Sequence, residues 1–425
     1  MTIDPKLIEE WRRWAKRVGL VVHPSIEVAN TKTMGLGVVA VRAVKVGETL
    51  FSCPHSAYIA PSDEDIPGCP AARLIASRRP YIDDYTRVVL RVLAEQARLP
   101  RSPWKAWLQC ISPLDHSILV CAIEELHELR GSSVYAQLSE MNIGGRWDAV
   151  KQFVAENPEV WPSASKDSFS RCAALVSSRN FHIEERQRPG PFLLPGIDFI
   201  NHSFTAHNVR FVLRGTSTFD VVSSKDIAPG QQILHNYGEL SDARFLVEFG
   251  FLPKANPFDC ARFSKVQLAN IACAVSDMAK EVVESRLAFL DRLGFIFEEG
   301  ILALQSEDPR RWTIGDNEQR LLDTLYLLTL PEEQYNAIVG EVARWWHVPE
   351  ADRCVALRIL HLAARHCLDH YPRSVPACTS GCVAPELEAT VGKERERFQR
   401  MLLLTEALTS NEVEFVSKAS DSADG

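Results

Sequence analysis

The spacing of apolar positions changes several times along the chain, and each change predicts an element. "MTIDPKLIEEWRRWAKRVGL" reads as an amphipathic helix, with Asp4 as N-cap, Pro5 at the first helical position and Gly19 as stop. Residues 20–54 switch to strands and turns. "GLGVVAVRAV" is apolar and β-branched, "KVG" is a turn, and "ETLFSCP" is a second short strand. Helical spacing takes over at 55–180. "DDYTRVVLRVLAEQARL" sets Val88, Leu90, Val92 and Leu93 among charges, and "ILVCAIEELHELRG" and "SFSRCAALVSSRNF" read the same way. Alternation returns at 192–237, where Val209, Phe211 and Leu213 share one face of "NVRFVLRG", followed by "TFDVVSS" and "QQILHNY". From about 262 onward the period is helical again, with Leu268, Ile271, Val275, Met278 and Val282 in one run.

The two strand-rich blocks echo each other. "VKVGETL" (44–50) and "IAPGQQI" (227–233) share an apolar residue, a turn Gly three positions on, Glu or Gln, then an apolar strand residue. Two similar turns so far apart imply one β unit split by a helical insertion. The expected organisation is an N-terminal helix (1–19), a β domain (20–261) interrupted at about 60–175, a helical domain (262–412) and a disordered tail (413–425). The fold class is α+β.

Length and charge narrow the function. A chain of 425 residues has room for two or three domains. A formal net charge of -8 with no basic tract argues against broad nucleic-acid binding. Eleven scattered cysteines and a start without an apolar h-region point to reduced thiols in cytosol or nucleus. No apolar run approaches the ~18 residues that span a bilayer. Cys367, Cys378 and Cys382 lie near His366 and His370 but form no CxxC pair, so no metal is expected.

The chemistry concentrates in four segments: "MGLG" (34–37), "SSRNF" (177–181), "GIDFINHS" (196–203) and "NYG" (236–238). Singly, each has a plain reading. Gly35 and Gly37 suit a turn, Asn201 and His202 a buried loop, Tyr237 a core aromatic, and Arg179 a surface ion pair. Together and in this order they resemble the SET-domain protein methyltransferases, in the branch similar to the Rubisco large-subunit methyltransferase. "NHS" and "NYGELSDARFLVEFGF" carry most of that resemblance, which covers about residues 5–410.

The resemblance implies a SET β-fold with a knot-like core, a helical insertion and an all-α C-terminal domain that binds the protein substrate. It implies S-adenosylmethionine as cofactor, held by Gly35, Leu36, Gly37, Arg179, Asn201, His202 and Tyr237. Tyr237 becomes the catalytic residue, and Phe181, Asp198 and Phe249 line or brace the target-lysine channel. The residue types suit these tasks. Glycine lets backbone approach a ligand closely, an amide oxygen and a guanidinium suit an ammonium and a carboxylate, and an aromatic wall suits a sulfonium. Two departures stand out: Met34 where relatives often carry an acid, and Phe249 where many carry Tyr. The expected activity is methylation of lysine on a non-histone protein, by a monomer. A protein-histidine methyltransferase of the same fold and a catalytically silent adaptor are the alternatives.

Overall fold

The computed structural model describes residues 3–61, 70–78, 81–111, 117–121, 123–182, 190–215, 218–261, 263, 265–276, 278–292, 316–342, 353–372 and 384–409. In chain order the first elements are α1 (Pro5–Arg17), β1 (Val21–Val22), β2 (Ile26–Thr31), β3 (Gly35–Ala40) and β4 (Thr49–Cys53). Next come α2 (Pro70–Ser77), α3 (Asp84–Ala97), α4 (Lys105–Cys110), α5 (Ser133–Met141), α6 (Ile143–Ala155) and α7 (Lys166–Arg179). The strands resume with β5 (Asn180–Phe181), β6 (Phe192–Leu193), β7 (Asn201–His202), β8 (Val209–Arg214), β9 (Thr218–Ser223) and β10 (Gln232–His235). The chain continues as α8 (Asp242–Phe249), α9 (Lys265–Ser276), α10 (Lys280–Arg292), α11 (Asp316–Thr329), α12 (Glu332–Val342), α13 (Arg353–Asp369) and α14 (Ala384–Thr409). Cys378, Cys382 and the tail expected at 413–425 lie outside the described residues.

Two compact units emerge. The first comprises residues 1–122, 141–240 and 247–253. It holds two four-stranded sheets, ordered β1-β4-β9-β8 and β2-β3-β10-β7, and the small ribbon β5-β6. Helix α1 starts as its residues dictate: the Asp4 carboxylate accepts from Lys6 N, Pro5 opens the helix, and Gly19 follows its end at φ +79°. Its buried face, Ile8, Trp11, Trp14 and Ala15, joins a core containing Phe51, Trp104, Trp107, Phe169 and Phe219.

The turn echo is the visible part of an internal repeat. Hairpin β2–β3 pairs Ile26 with Ala40, and hairpin β8–β9 pairs Val209 with Ser223, each residue 183 positions after its counterpart (26 and 209, 40 and 223). The third strands cross over. β4, after the first hairpin, pairs with β9, and β10, after the second, pairs with β3. Val44 and Ile227 exchange two backbone hydrogen bonds of 2.9 Å at the point where the repeats meet. Both turns use a glycine at positive φ, Gly47 at +88° and Gly230 at +83°. Lys45 N donates to the Glu48 carboxylate and Ala228 N to the Gln231 amide oxygen in matching geometry.

Two local readings are corrected. "ILVCAIEELHELRG" does not form an α-helix; it makes two 3-10 segments, Ile118–Val120 and Ile123–Leu129. Periods of 3.0 and 3.6 are indistinguishable over so few residues. Gly35–Leu36–Gly37 is not a turn. The turn covers residues 32–34, and the glycines open strand β3.

The second unit comprises residues 123–140, 241–246 and 254–425. Its core gathers Phe263, Leu325, Leu328, Leu360, Leu387, Phe398 and Met401. Glu394 on α14 binds the 123–140 segment, accepting from Ser133 N at 3.0 Å and from the Ser133 hydroxyl, and it also accepts from Tyr371 Oη at 2.6 Å. Buried Arg286 donates to the Leu327 and Leu330 carbonyls at the end of α11, where a helix carries partial negative charge.

Candidate functional site

β10 has two partners. It runs antiparallel to β3 and parallel to β7, with Leu234 opposite Asn201 and His235 opposite His202. This parallel pairing, outside the internal repeat, brings "NHS" beside "NYG". The chain leaves β10 after His235, so Tyr237 stands just past the strand end, and Gly238 turns away at φ +132°.

Gly37 makes room for Asn201. A Cβ on Gly37 would lie 2.6 Å from both Asn201 Nδ2 and Thr31 Cγ2, so any side chain there displaces the amide. Asn201 Nδ2 donates to the Leu36 carbonyl and to Gln232 Oε1, each at 3.2 Å. Both donor bonds tie β7 to its neighbours, and among the described residues nothing donates to Asn201 Oδ1. Met34 is 47% exposed, and only its backbone takes part here, donating to Thr31 Oγ1.

Tyr237 is held at both ends. Its amide donates to His202 Nδ1 at 3.1 Å, and its hydroxyl donates to the Ile200 carbonyl at 2.8 Å. Its ring packs against Phe249 (centroids 4.9 Å apart) and His202 (5.1 Å). Burial pushes the phenol up to about 12 and holds the His202 imidazole down to about 4. Both groups are therefore neutral across the physiological range. A row of rings continues to the other side: His235 meets Phe211 at 4.4 Å, and Phe211 meets Phe181 at 5.2 Å.

Arg179 and Asp198, which act on Tyr237 electrostatically, form a buried ion pair. The Asp198 side chain is fully covered and accepts from Arg179 Nη1 at 3.0 Å, Trp107 Nε1 at 3.0 Å and Gly196 N at 2.7 Å. Burial raises the carboxyl's pKa, while Arg179, Trp107 and Gly196 act to lower it. Arg179 Nη1 also donates to the Asp198 carbonyl at 3.2 Å. Among the described residues its Nε is buried without an acceptor. A guanidinium N–H left unpaired in a buried site costs free energy unless a ligand supplies an acceptor.

The structure links seven of the ten singled-out residues, Gly35, Leu36, Gly37, Asn201, His202, Tyr237 and Phe249, by direct contacts or chain adjacency, and Arg179 and Asp198 form a pair of their own. Asp198 braces Arg179, and its carboxylate faces no solvent. Phe181 touches Phe211 and reaches the Tyr237 cluster only through Phe211 and His235. Sequence reasoning missed Trp107, Gln232, Phe211 and His235. An indole within "SPWKAWLQC" signals a buried polar handle, since a buried Trp N–H normally finds an acceptor. Nothing local marks Asp198 as that acceptor.

Against known proteins, the model of the family described as "SET domain" matches residues 35–238. The mouse protein "N-lysine methyltransferase SETD6" is 25% identical over 368 residues, covering 81% of this chain and 74% of its own. The solved structure "Crystal structure of the SET domain of LSMT bound to Lysine and AdoHcy" superposes with a TM-score of 0.67 at 17% identity, covering 96% of this chain and 93% of its own. "Structure of Rubisco LSMT bound to AdoMet" gives 0.64 at 17% identity, covering 97% and 95%.

Proposed function

We propose that this chain, a SET-domain protein by the match across residues 35–238, is an S-adenosylmethionine-dependent protein-lysine N-methyltransferase acting on a non-histone protein. The observation that carries the reading is the Tyr237 hydroxyl, whose proton is committed to the Ile200 carbonyl within an aromatic wall. Its oxygen lone pairs are left to accept an N–H from a target amine, which turns the amine's own lone pair outward for attack.

The residues present fit the cofactor. Among the described residues Arg179 Nε is a buried donor without an acceptor and Asn201 Oδ1 an acceptor without a donor, and the bare backbone at Gly37 admits close approach. Arg179 would pair with a carboxylate and Asn201 with an ammonium, while backbone around His202 would meet the adenine edge. S-adenosylmethionine supplies, when bound, a methyl group on a sulfonium cation. The protein's tasks are then to align the amine and keep it neutral. The aromatic rings of Phe181, Phe211, Tyr237 and Phe249 would line the path of the target amine, and an apolar lining lowers a lysine's pKa. His202, His235 and Tyr237 keep their charge state through the neutral range, so none of these three produces a rise of turnover there, whereas deprotonation of the target amine does.

The helical unit grips the protein substrate, the enzyme works as a monomer, and its site of action is cytosol or nucleus. Among the described residues no helix is long and apolar enough to cross a membrane. Calorimetry with S-adenosylhomocysteine tests the reading: one site per chain is expected, and the absence of binding refutes it.

Asn201→Ala should weaken that binding. It removes the Oδ1 acceptor and releases the Leu36 carbonyl. A hydrogen bond to a charged group contributes about 1.5–3 kcal/mol, so affinity should fall by roughly ten- to a hundredfold. An unchanged dissociation constant in a folded variant would make Asn201 a purely structural tie.

Phe249 concerns the extent of methylation. Its half-buried ring lies 4.9 Å from that of Tyr237 and offers no hydrogen bond to hold an amine or a water. An apolar wall accommodates methylated amines by contact and cation–π attraction. The wild-type enzyme is expected to add more than one methyl group, and Phe249→Tyr to shift products toward monomethyl-lysine. Product mass spectra at matched extent of reaction decide; identical methyl distributions would return Phe249 to a packing role.

A further inference from the structure

Helix α13 turns one face into the helical unit and leaves an opposite stripe without a described partner. Leu357, Ile359, Leu360, Ala363, Ala364 and Cys367 are buried. The exposed positions are Val355, Arg358, Leu362, Arg365 and Asp369, spaced alternately three and four residues apart. That spacing sets them in one line along the helix, about 20 Å long. Val355 is 47% exposed and Leu362 45%, one heptad apart, with the two arginines interleaved at the same interval.

The stripe carries positive charge that no carboxylate of the described residues neutralises. Among the described residues neither arginine makes an ion pair, although the chain carries 55 acidic against 47 basic residues. On the packed neighbour α14 two cations are committed, Lys393 to Asp242 at 2.6 Å and Arg397 to Asp259 at 2.7 Å, while Arg395, like the two arginines of the stripe, makes no ion pair among the described residues. Arg365 has a carboxylate one turn away in Asp369, at the end of the stripe, but does not close a bridge to it. Two uncommitted guanidinium forks between two exposed apolar side chains are complementary to carboxylates flanking apolar residues.

We propose that the α13 stripe is a docking surface for an acidic amphipathic segment of a second protein. The partner segment presents apolar side chains at heptad spacing to Val355 and Leu362, and carboxylates to Arg358 and Arg365. That this partner is the methylated substrate rests on the function proposed above; the docking itself does not. Arginine contributes here as a planar donor that pairs bidentately with carboxylates, while its stem lies along apolar surface.

The test uses the full chain and two fluorescein-labelled synthetic peptides, read by fluorescence anisotropy without cofactor. One is an amphipathic helix with Leu at heptad positions and Glu between them; the other replaces every Glu by Lys. The acidic peptide should bind at low salt and weaken about tenfold or more at roughly 0.5 M salt, since exposed pairs are screened. Arg358→Glu/Arg365→Glu should lose binding by a similar factor, and the milder Arg358→Gln/Arg365→Gln should fall between. Val355→Ser/Leu362→Ser should weaken binding at both salt concentrations. The basic peptide should not bind wild type. Equal affinity of wild type and the charge-reversed variant for the acidic peptide, equal binding of both peptides, or no binding of the acidic one overturns the proposal. Calorimetry with S-adenosylhomocysteine on the same variants should be unchanged, which separates failure of this surface from failure of the methyltransferase reading.

Discussion

Tyr237→Phe should lower turnover by roughly 10²–10³-fold while leaving affinity for S-adenosylhomocysteine nearly intact. The variant keeps the ring, and with it the contacts to Phe249, His202 and His235. It keeps the backbone amide that donates to His202 Nδ1. What disappears is one oxygen, fixed by its bond to the Ile200 carbonyl. An immobilised acceptor aligns an amine without reorganising during the reaction, and losing a comparable electrostatic group costs about 3–4 kcal/mol. The Ile200 carbonyl loses its donor too, so thermal unfolding should be followed alongside, with a fall of a few degrees expected for about 1 kcal/mol. Near-normal turnover in a folded variant would remove Tyr237 from catalysis.

A second large effect is expected at the buried ion pair. Arg179→Met keeps much of the side chain's volume but leaves the fully covered Asp198 carboxylate with only Trp107 and Gly196 as donors. Removing one partner of a buried pair typically destabilises by about 3–5 kcal/mol, because the remaining charge is uncompensated. The unfolding midpoint should fall by roughly 10 °C. The pH dependence has a definite sign. Burial already raises the Asp198 pKa, and losing Arg179, which lowers it, raises it further. The folded variant therefore holds a proton that the unfolded chain releases, and stability falls as pH rises from the ordinary carboxylate range through the raised folded value. The variant should lie nearest wild type at acid pH and furthest from it at neutral pH. Adding Asp198→Asn should restore part of the loss, since no buried charge then remains. A single variant as stable as wild type at neutral pH, by calorimetric or denaturant unfolding, would contradict the account of this pair. The variant should also lose cofactor affinity, because the Nε donor goes with the guanidinium.

Legibility in the sequence followed locality. Helix α1 was readable because Asp4, Pro5 and Gly19 each act within one turn. The repeat was visible only at "VKVG" and "IAPG", where both copies require a glycine at positive φ. The hairpins 183 positions apart (26 and 209) diverge in sequence, since strand pairing constrains alternation more than identity. Asn201, His202 and Tyr237 were legible through dense polar residues inside apolar runs and through the family resemblance. Their mutual contact was not, because it depends on the parallel pairing of β7 with β10 across more than 30 residues. Trp107 lies 91 residues from Asp198, and no local pattern encodes that distance. The uncommitted Arg179 Nε becomes visible only when every neighbouring acceptor is placed.

The central claim is transfer of a methyl group to lysine. It is tested most directly by incubating the full chain with methyl-labelled S-adenosylmethionine and extract from cells lacking this enzyme, then hydrolysing the protein fraction and separating its amino acids. The account predicts label in ε-N-methylated lysine, absent when Tyr237→Phe replaces the wild type. Label confined to methylhistidine, or no protein-bound label from an enzyme that binds S-adenosylhomocysteine, would contradict it.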